Sequence, residues 1–419
     1  MRVKSFIHKI TSHALARDSA IMFTGSMTAN IFSYVYHLLM GRLLGPVGYG
    51  ELSSLLSIFY IFTIPLNVGQ LVLVKFISAF KATGEVGQAK SLFLKVTKTA
   101  VIGCLGVLPV IILISPMVTS YLQIKTPGMF VLIYLIFIFS MLTVIMASIL
   151  QGYQKFVWVS ILGAGAILIK LSLSIPAVQF NVMGVLLATL ISGVIAYMLN
   201  FLPLGFMFRT PALPMKLTKR EAITFAIPTL LVTLGMTSIY STDMILVRHY
   251  FSAIDAGVYA SLAVMGKIVF YATSVLGAVF YPVLSERHAK GENTGEIIRI
   301  GLLAVAVISS GITLFYFIFP SFIIRMLFGS SYLGGAPYLG IFGIFLVLYS
   351  IGNMFTTTFL ATGKTKMWIV PVGSALLQII GIILFHQNIL TVIYIDITIS
   401  VLLVLGLGGY YLHSKKDTV

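Results

Sequence analysis

The sequence predicts an all-α polytopic membrane protein, with about twelve transmembrane helices in two six-helix lobes related by a pseudo-two-fold axis along the membrane normal. The chain is 59% hydrophobic and 9% charged, with a mean hydropathy of +1.06, whereas a soluble protein carries roughly 25% charged residues. About twelve apolar runs of roughly 18 to 25 residues are each long enough to cross a bilayer. The third observation, an internal repeat, predicts the two lobes.

The repeat is seen in two apolar helices that each carry polar residues at helical spacing. These two polar stripes are Ser26, Asn30, Ser33 and His37 in the first helix, and Thr229, Thr233, Thr237 and Tyr240 in the second. A shift of 207 positions superimposes Ser26 on Thr233 and Gly50 on Gly257, and a shift of 211 matches Gln151–Phe156 with Thr362–Met367. Polar side chains in membrane helices are costly unless they face protein or water, so we expect both stripes to line a hydrated cavity.

The spans follow in chain order, and the lobes divide at a basic, proline-containing linker over 208–220. We predict an N-terminal lobe over 1–207 and a C-terminal lobe over 221–419. An even number of spans gives both lobes the same orientation, with the cavity expected between them. The predicted spans are 19–43, 52–75, 92–116, 128–149, 156–177 and 184–207, followed by 221–246, 256–283, 298–320, 336–358, 366–386 and 390–412.

The distribution of cations predicts the orientation. Of 27 Lys and Arg residues, 21 fall on the side of the N-terminus, 4 on the opposite side and 2 inside apolar runs. By the positive-inside rule both termini are cytoplasmic, in a cell (plasma or inner) membrane. This distribution accounts for the net charge of +16 without a nucleic-acid partner. The basic segment before residue 20 is expected to be retained as an amphipathic helix on the membrane.

The chain lacks the residue patterns of an enzyme. Cys104 is the single cysteine, and the seven histidines are scattered, so neither a disulfide framework nor a metal site is expected. Ala361–Lys366 contains Gly-Lys-Thr, but Thr358 stands where a phosphate loop needs its first glycine. We expect no cofactor.

Ionisable residues inside the apolar runs are the strongest functional signal. Lys170 and Lys267 lie far from the ends of their spans, and such charges usually face the bundle interior; snorkelling is the alternative for Lys170. Asp243 is a candidate for ion coupling or a packing salt bridge. Asp396 is a second candidate carboxylate, for which a structural role is the alternative.

Three further residues lie near the ends of the first helix of each half. Arg42 and Arg248 are candidates for an outer cationic rim that binds an anionic head group, with interfacial anchoring as the alternative. His37 ends the first polar stripe and is expected to be neutral and hydrogen-bonded. Cations in the spans are opposed by few acids, which favours an anionic solute such as a phosphate or pyrophosphate.

Three segments carry a resemblance to a known family. Residues 41–58 (GRLLGPVGYGELSSLLSI), 243–267 (DMILVRHYFSAIDAGVYASLAVMGK) and 151–158 (QGYQKFVW) resemble the polysaccharide flippase branch, including O-antigen flippases, of the multidrug/oligosaccharidyl-lipid/polysaccharide exporter superfamily. The resemblance implies a transporter that moves a polyprenyl-pyrophosphate-linked oligosaccharide from the cytoplasmic to the outer leaflet by alternating access. It further implies membrane lipids and polysaccharide-assembly proteins as partners, with H⁺ or Na⁺ as a counter-ion.

Other functions remain open at this point. A multidrug antiporter of the same superfamily would exchange organic cations for Na⁺ or protons, but a cation-lined cavity suits such cargo poorly. A lipid II flippase is nearer in chemistry, since its cargo is also a pyrophosphate. A membrane scaffold that transports nothing would not need the paired polar stripes.

Overall fold

The computed structural model describes residues 2–214, 219–290 and 292–416, and within them every regular element is helical. Such a chain satisfies its backbone hydrogen bonds internally, as a bilayer requires. The helices are α1 (Arg2–Ala82), α2 (Val86–Tyr121), α3 (Gly128–Gly152), α4 (Phe156–Ala177), α5 (Asn181–Leu199), α6 (Gly205–Phe208), α7 (Lys219–Ile239), α8 (Thr242–Tyr250), α9 (Ala253–Ala289), α10 (Gly295–Ile318), α11 (Pro320–Leu327), α12 (Ala336–Ala361), α13 (Ile369–Leu384) and α14 (Ile389–Lys416).

Ten helical stretches of the described chain are long and apolar enough to cross a membrane. Thr24–Ala82 and Phe156–Met207, with 59 and 52 residues, exceed the roughly 20 residues that one crossing needs. The first is interrupted at Gly45, whose φ of 66° and ψ of 178° are not helical and which precedes a proline. The second is interrupted by a 3₁₀ turn before Asn181. Both interruptions fall between predicted spans, and the number of twelve crossings stays a prediction.

The sequence repeat has a counterpart in the backbone. The amide of Glu85 donates to the carbonyl of Phe80 at 2.8 Å, and the amide of Glu292 donates to that of Arg287 at 3.0 Å, an offset of 207 for both partners. The interruption at Gly45 also recurs, because position 252 lies between the end of α8 and the start of α9. The two halves therefore share a backbone pattern at this offset.

The shift of 211 predicted for the later part of the repeat is wrong by two residues. The amide of Lys155 donates to Leu150 O at 2.8 Å, and that of Lys364 donates to Phe359 O at 2.9 Å, so this helix-ending hydrogen bond recurs at 209. The sequence match had paired Gly152 with Gly363. In the structure the left-handed position is held by Gln154 in one turn and by Gly363 in the other, with φ of 59° and 70°.

The chain forms two compact units whose composition differs from the predicted lobes. The first unit contains Met1–Met40, Pro65–Thr119 and Lys125–Ala222, and the second contains Gly41–Ile64, Ser120–Ile124 and Ile223–Val419. The predicted boundary would assign Gly41–Ile64 to the first half, whereas its packing assigns it to the second unit. Residues 215–218 of the predicted linker and the side chains of the basic N-terminal segment lie outside the described residues.

Glycines explain how Gly41–Ile64 packs so closely within the second unit. A Cβ on Gly50 would lie 2.8 Å from the amide nitrogen of Gly257, and a Cβ on Gly257 would lie 2.0 Å from Pro46 O. Gly50 and Gly257 are the residues that the 207-position shift superimposes. The close contact therefore joins two residues that the sequence repeat makes equivalent.

Helix α12 is the central packing element of the second unit. A Cβ on Gly343 would meet the Thr313 side chain of α10 at 2.7 Å, and a Cβ on Gly266 of α9 would meet the Phe342 ring of α12 at the same distance. Small residues allow membrane helices to approach closely and gain van der Waals contact. This packing holds α9 against α12 and positions the side chains described below.

Candidate functional site

The second unit contains a cavity between α8, α9, α12 and the turn that follows α7. Asp243 and Lys267 supply its charged groups, and aromatic side chains supply most of the remaining wall. The lining residues also include Tyr240, Phe270, Tyr271, Phe342, Phe345 and Tyr349. Of the predicted site residues, the structure therefore brings together Tyr240, Asp243 and Lys267.

Lys267 is held over aromatic rings. Its Nζ lies 4.7 Å from the ring centroid of Tyr60 and 5.7 Å from that of Tyr240. The π face of a tyrosine attracts a cation, and this attraction strengthens where water is excluded. Electrostatic attraction also acts between Lys267 and Asp243. The ammonium group thus interacts with one carboxylate and two tyrosine rings, and an anion that enters the cavity could bind to it as well.

The acid pair, Asp243 and Asp396, is joined by a tyrosine. The Tyr259 hydroxyl lies 2.7 Å from Asp243 Oδ2 and 3.0 Å from Asp396 Oδ2. Gln378 donates from Nε2 to Asp396 Oδ1 at 2.7 Å, and the Met244 amide donates to Asp243 Oδ1 at 2.7 Å. All four side chains are at most 1% exposed. The two predicted ion-coupling carboxylates thus belong to one hydrogen-bonded network.

Lys170 occupies a comparable setting in the first unit. Its Nζ lies 3.8 Å from the ring centroid of Tyr36, a side chain that is 1% exposed. Lys170 itself is partly buried and lies on α4. Each unit therefore presents one membrane-embedded lysine against a tyrosine ring.

The polar stripes are placed as follows. In the first unit Asn30 is exposed, while Ser33 and His37 are partly buried; the His37 ring lies edge-on to Tyr36. In the second unit the Thr233 hydroxyl donates to Thr229 O at 2.8 Å, and Thr237 is 8% exposed. Both threonines lie on α7 ahead of the Tyr240 that reaches the cavity. Their roles in binding stay predictions.

The two predicted rim arginines bind carbonyls at helix ends. Arg42 donates from Nε to Leu327 O at 2.9 Å and from Nη2 to Met326 O. Arg248 donates from Nε to Leu122 O at 2.9 Å and from Nη2 to Gln123 O at 3.3 Å. Carbonyls at the C-terminus of a helix carry partial negative charge and lack intrahelical donors, which explains the pairing.

Their exposure separates these two arginines. Arg248 is 3% exposed, so this structure does not display it as a rim cation and departs from the prediction at that residue. Arg42 is exposed, and its role in a rim stays a prediction. Each arginine belongs to one repeat and caps a helix end of the other, which places a reciprocal pair of caps in the second unit.

Sequence reasoning missed the tyrosines and the glutamine that organise the charged groups. Tyr36, Tyr60 and Tyr259 occur in apolar runs that already contain many aromatic residues, so nothing in the local pattern distinguished them. Gln378 was detectable, because an amide in the apolar run LLQII is as costly as a hydroxyl unless it finds partners. Among the described residues, no group of three or more His, Cys, Asp or Glu is arranged to hold a metal ion.

The sequence matches a known protein family. A family model described as "Polysaccharide biosynthesis protein" matches residues 39–337, which is well over half of the sequence. The chain belongs to this family. No functionally curated protein matches the sequence significantly.

Solved structures show the same fold at low sequence identity. A multidrug resistance MATE family transporter of the MOP superfamily, in an inward-facing conformation, matches with a TM-score of 0.73 at 13% identity, covering 95% of this chain and 98% of that chain. The lipid II flippase MurJ in an inward closed conformation matches with 0.72 at 15%, covering 94% and 87%. A MOP superfamily transporter from Pyrococcus furiosus, described as having a binding pocket of reverse polarity, matches with a TM-score of 0.59 at 16% identity, covering 97% of this chain and 95% of that chain.

These comparisons confirm the predicted all-α polytopic fold class and the predicted resemblance to a polysaccharide family, whereas the twelve helices and the two six-helix lobes stay predictions. The chain is a multi-pass membrane protein of this family, and its fold matches that of solved transporters and a flippase.

Proposed function

We propose that this protein is a flippase that moves a polyprenyl-pyrophosphate-linked oligosaccharide from the cytoplasmic to the outer leaflet for cell-surface polysaccharide biosynthesis. The observation that carries the proposal is the pair of membrane-embedded lysines, Lys170 and Lys267, each set against tyrosine rings. A pyrophosphate requires cationic donors away from bulk water, whereas organic cations would be repelled by them. Membership of a polysaccharide biosynthesis family supports the sugar part of the cargo.

The orientation belongs to the same proposal. With both termini cytoplasmic, as the distribution of cations favours, the Gly50–Gly257 contact and the arginine caps lie at the outer side. We infer that these contacts close the outer side in one state of an alternating-access cycle and separate in the other. Support comes from the kind of contact involved. These contacts are made by glycine backbones in the two repeats and by hydrogen bonds to helix ends, so they can separate without disrupting the side-chain packing of a hydrophobic core.

The proposal predicts that Lys170→Ala reduces translocation at least tenfold, because a charge-assisted hydrogen bond to an anion contributes about 1.5–3 kcal/mol. The assay is movement of a fluorescent polyprenyl-pyrophosphate oligosaccharide across proteoliposomes. Lys170→Arg should retain much of the rate because it keeps the charge. Lys98→Ala, which removes an exposed cation from α2, is the matched control and should behave as wild type.

Three results would contradict this function. Unchanged translocation by a well-folded Lys170→Ala protein would remove Lys170 from the cargo path. Wild-type protein that ignores the lipid-linked sugar but exchanges organic cations for protons or Na⁺ would be a multidrug antiporter. Preference for lipid II over other lipid-linked sugars would instead assign the cargo of the lipid II flippase.

A further inference from the structure

The geometry of the acid pair requires a proton count. A tyrosine hydroxyl has one proton to donate, yet the Tyr259 oxygen lies within hydrogen-bond distance of both Asp243 Oδ2 and Asp396 Oδ2. If both carboxylates were ionised, one of these contacts would join two acceptors. Both contacts are satisfied when one carboxyl carries a proton and donates it to the tyrosine oxygen.

Gln378 limits where that proton can lie. It is 0% exposed, and its Nε2 donates both to Asp396 Oδ1 and to Ile239 O, which fixes the orientation of the amide. Asp396 Oδ1 and Asp243 Oδ1 therefore already accept from N–H groups, of Gln378 and of the Met244 amide. The two Oδ2 atoms are left to share the Tyr259 hydroxyl, so the additional proton is needed at this contact.

The charges around the pair balance with one proton. Two ionised aspartates and Lys267 would have a net charge of −1, whereas one proton shared by the pair brings the group to zero, the state that a buried environment favours. Within the described part of the chain, the other titratable side chains that line the cavity or contact its charged groups are tyrosines: Tyr240 beside α7, Tyr259 and Tyr271 on α9, Tyr349 on α12 and Tyr60 from Gly41–Ile64.

We propose that Asp243, Tyr259 and Asp396 together hold one proton, and that this proton strengthens the binding of an anionic cargo group at Lys267. Without the proton, Asp243 competes for Lys267 and the site repels an anion. With it, Lys267 is free to bind the anion, and a bound anion in turn favours further protonation of the pair. This linkage is reciprocal, so proton and anion raise each other's affinity by the same factor.

The linkage deepens the proposed function and rests on it for the identity of the anion. It predicts that proton and pyrophosphate bind to the transporter together rather than in competition. Above the pH at which the pair loses its proton, affinity for the anion should fall by up to about tenfold per pH unit, because each anion bound would need one proton from solution.

Two measurements on the full chain in nanodiscs test this. Infrared difference spectroscopy over a pH titration should show a carboxylic acid carbonyl band at neutral pH, lost or shifted in Asp396→Asn and in the isosteric Tyr259→Phe. A pH-indicator dye should report up to one proton taken up per farnesyl pyrophosphate bound, with no uptake in Asp243→Asn. Asp255→Asn, an exposed acid at the start of α9, is the matched control and should match wild type.

The proton site and its linkage to the anion can fail independently. Absence of the acid band from the wild type, or its equal presence in Asp396→Asn, would overturn the proton site. Equal proton uptake by wild type and Asp243→Asn would overturn the linkage, as would a band that responds to Na⁺ instead of pH. A wild-type acid band with no binding of farnesyl pyrophosphate would refute the linkage to a pyrophosphate at Lys267, and failure of the proteoliposome assay would refute the proposed cargo.

Discussion

Gly257→Ala tests whether the Gly50–Gly257 contact opens during the cycle. The new Cβ would lie 2.0 Å from Pro46 O and 2.4 Å from Pro46 C. Both are backbone atoms and cannot rotate away, and an ordinary carbon contact needs about 3.5 Å. The two backbones must therefore separate by roughly 1.5 Å, which at the usual cost of overpacking destabilises the closed state by about 1–3 kcal/mol. That corresponds to a change of about 5- to 150-fold in the ratio of closed to open molecules.

Thiol labelling measures this shift. Ser54 is 0% exposed within Gly41–Ile64, and Cys104 is the single native cysteine, so Ser54→Cys in a Cys104→Ala background gives one reporter. A membrane-impermeant maleimide added outside intact cells should label the Gly257→Ala protein faster than its parent. Gly69→Ala, also on α1 but with open space around its Cβ, is the control. Faster thermal unfolding with no change in labelling would show that the contact is only structural and would refute the reasoning.

Two further substitutions address the helix-end contacts. Arg248→Gln should lower stability by about 1–3 kcal/mol because it leaves the buried Leu122 carbonyl without its donor and removes the hydrogen bond to Gln123 O. Arg325→Gln, at an exposed position, should not lower it, and thermal unfolding in detergent measures both. Tyr332→Phe removes a 2.6 Å hydrogen bond to Gly41 O and should lower the free energy of unfolding by about 1 kcal/mol, by the same measurement. Tyr394→Phe, at an exposed position, is its control. A melting temperature equal to that of the wild type would contradict the claim for either Arg248 or Tyr332.

Much of the fold was predictable because a membrane imposes strong constraints on sequence. Uninterrupted apolar runs predicted the helices, and GPVGYG predicted the interruption that the structure has at Gly45. Composition of the two units was not predictable. The repeat divides the sequence near residue 208, but nothing in a one-dimensional pattern reveals that Gly41–Ile64 packs with residues beyond 223.

The candidate site was predictable only in part. Lysines and aspartates are rare in apolar helices, so the sequence draws attention to them. In the structure Asp243 and Lys267 line one cavity, and Asp243 and Asp396 share a hydrogen-bond network. Their partners are tyrosines, which are common in such helices, so the sequence alone could not pair them. The sequence left two roles open for Arg248 for a related reason, because it shows a cation near a helix end without showing which carbonyls the side chain reaches.

The packing of Gly41–Ile64 has a consequence for how the protein is made. Apart from the short segment Ser120–Ile124, the rest of the second unit begins at Ile223, so about 160 residues must be synthesised and inserted before most of these contacts can form. Until then, Gly50 and the carbonyl of Gly41 have neither Gly257 nor the Tyr332 hydroxyl to pair with. Contacts so distant in sequence form late in folding. During that interval the nascent first half lies in the membrane with part of its packing surface uncovered. Chaperones can bind this surface, or the segment can misassemble, before the second half is inserted.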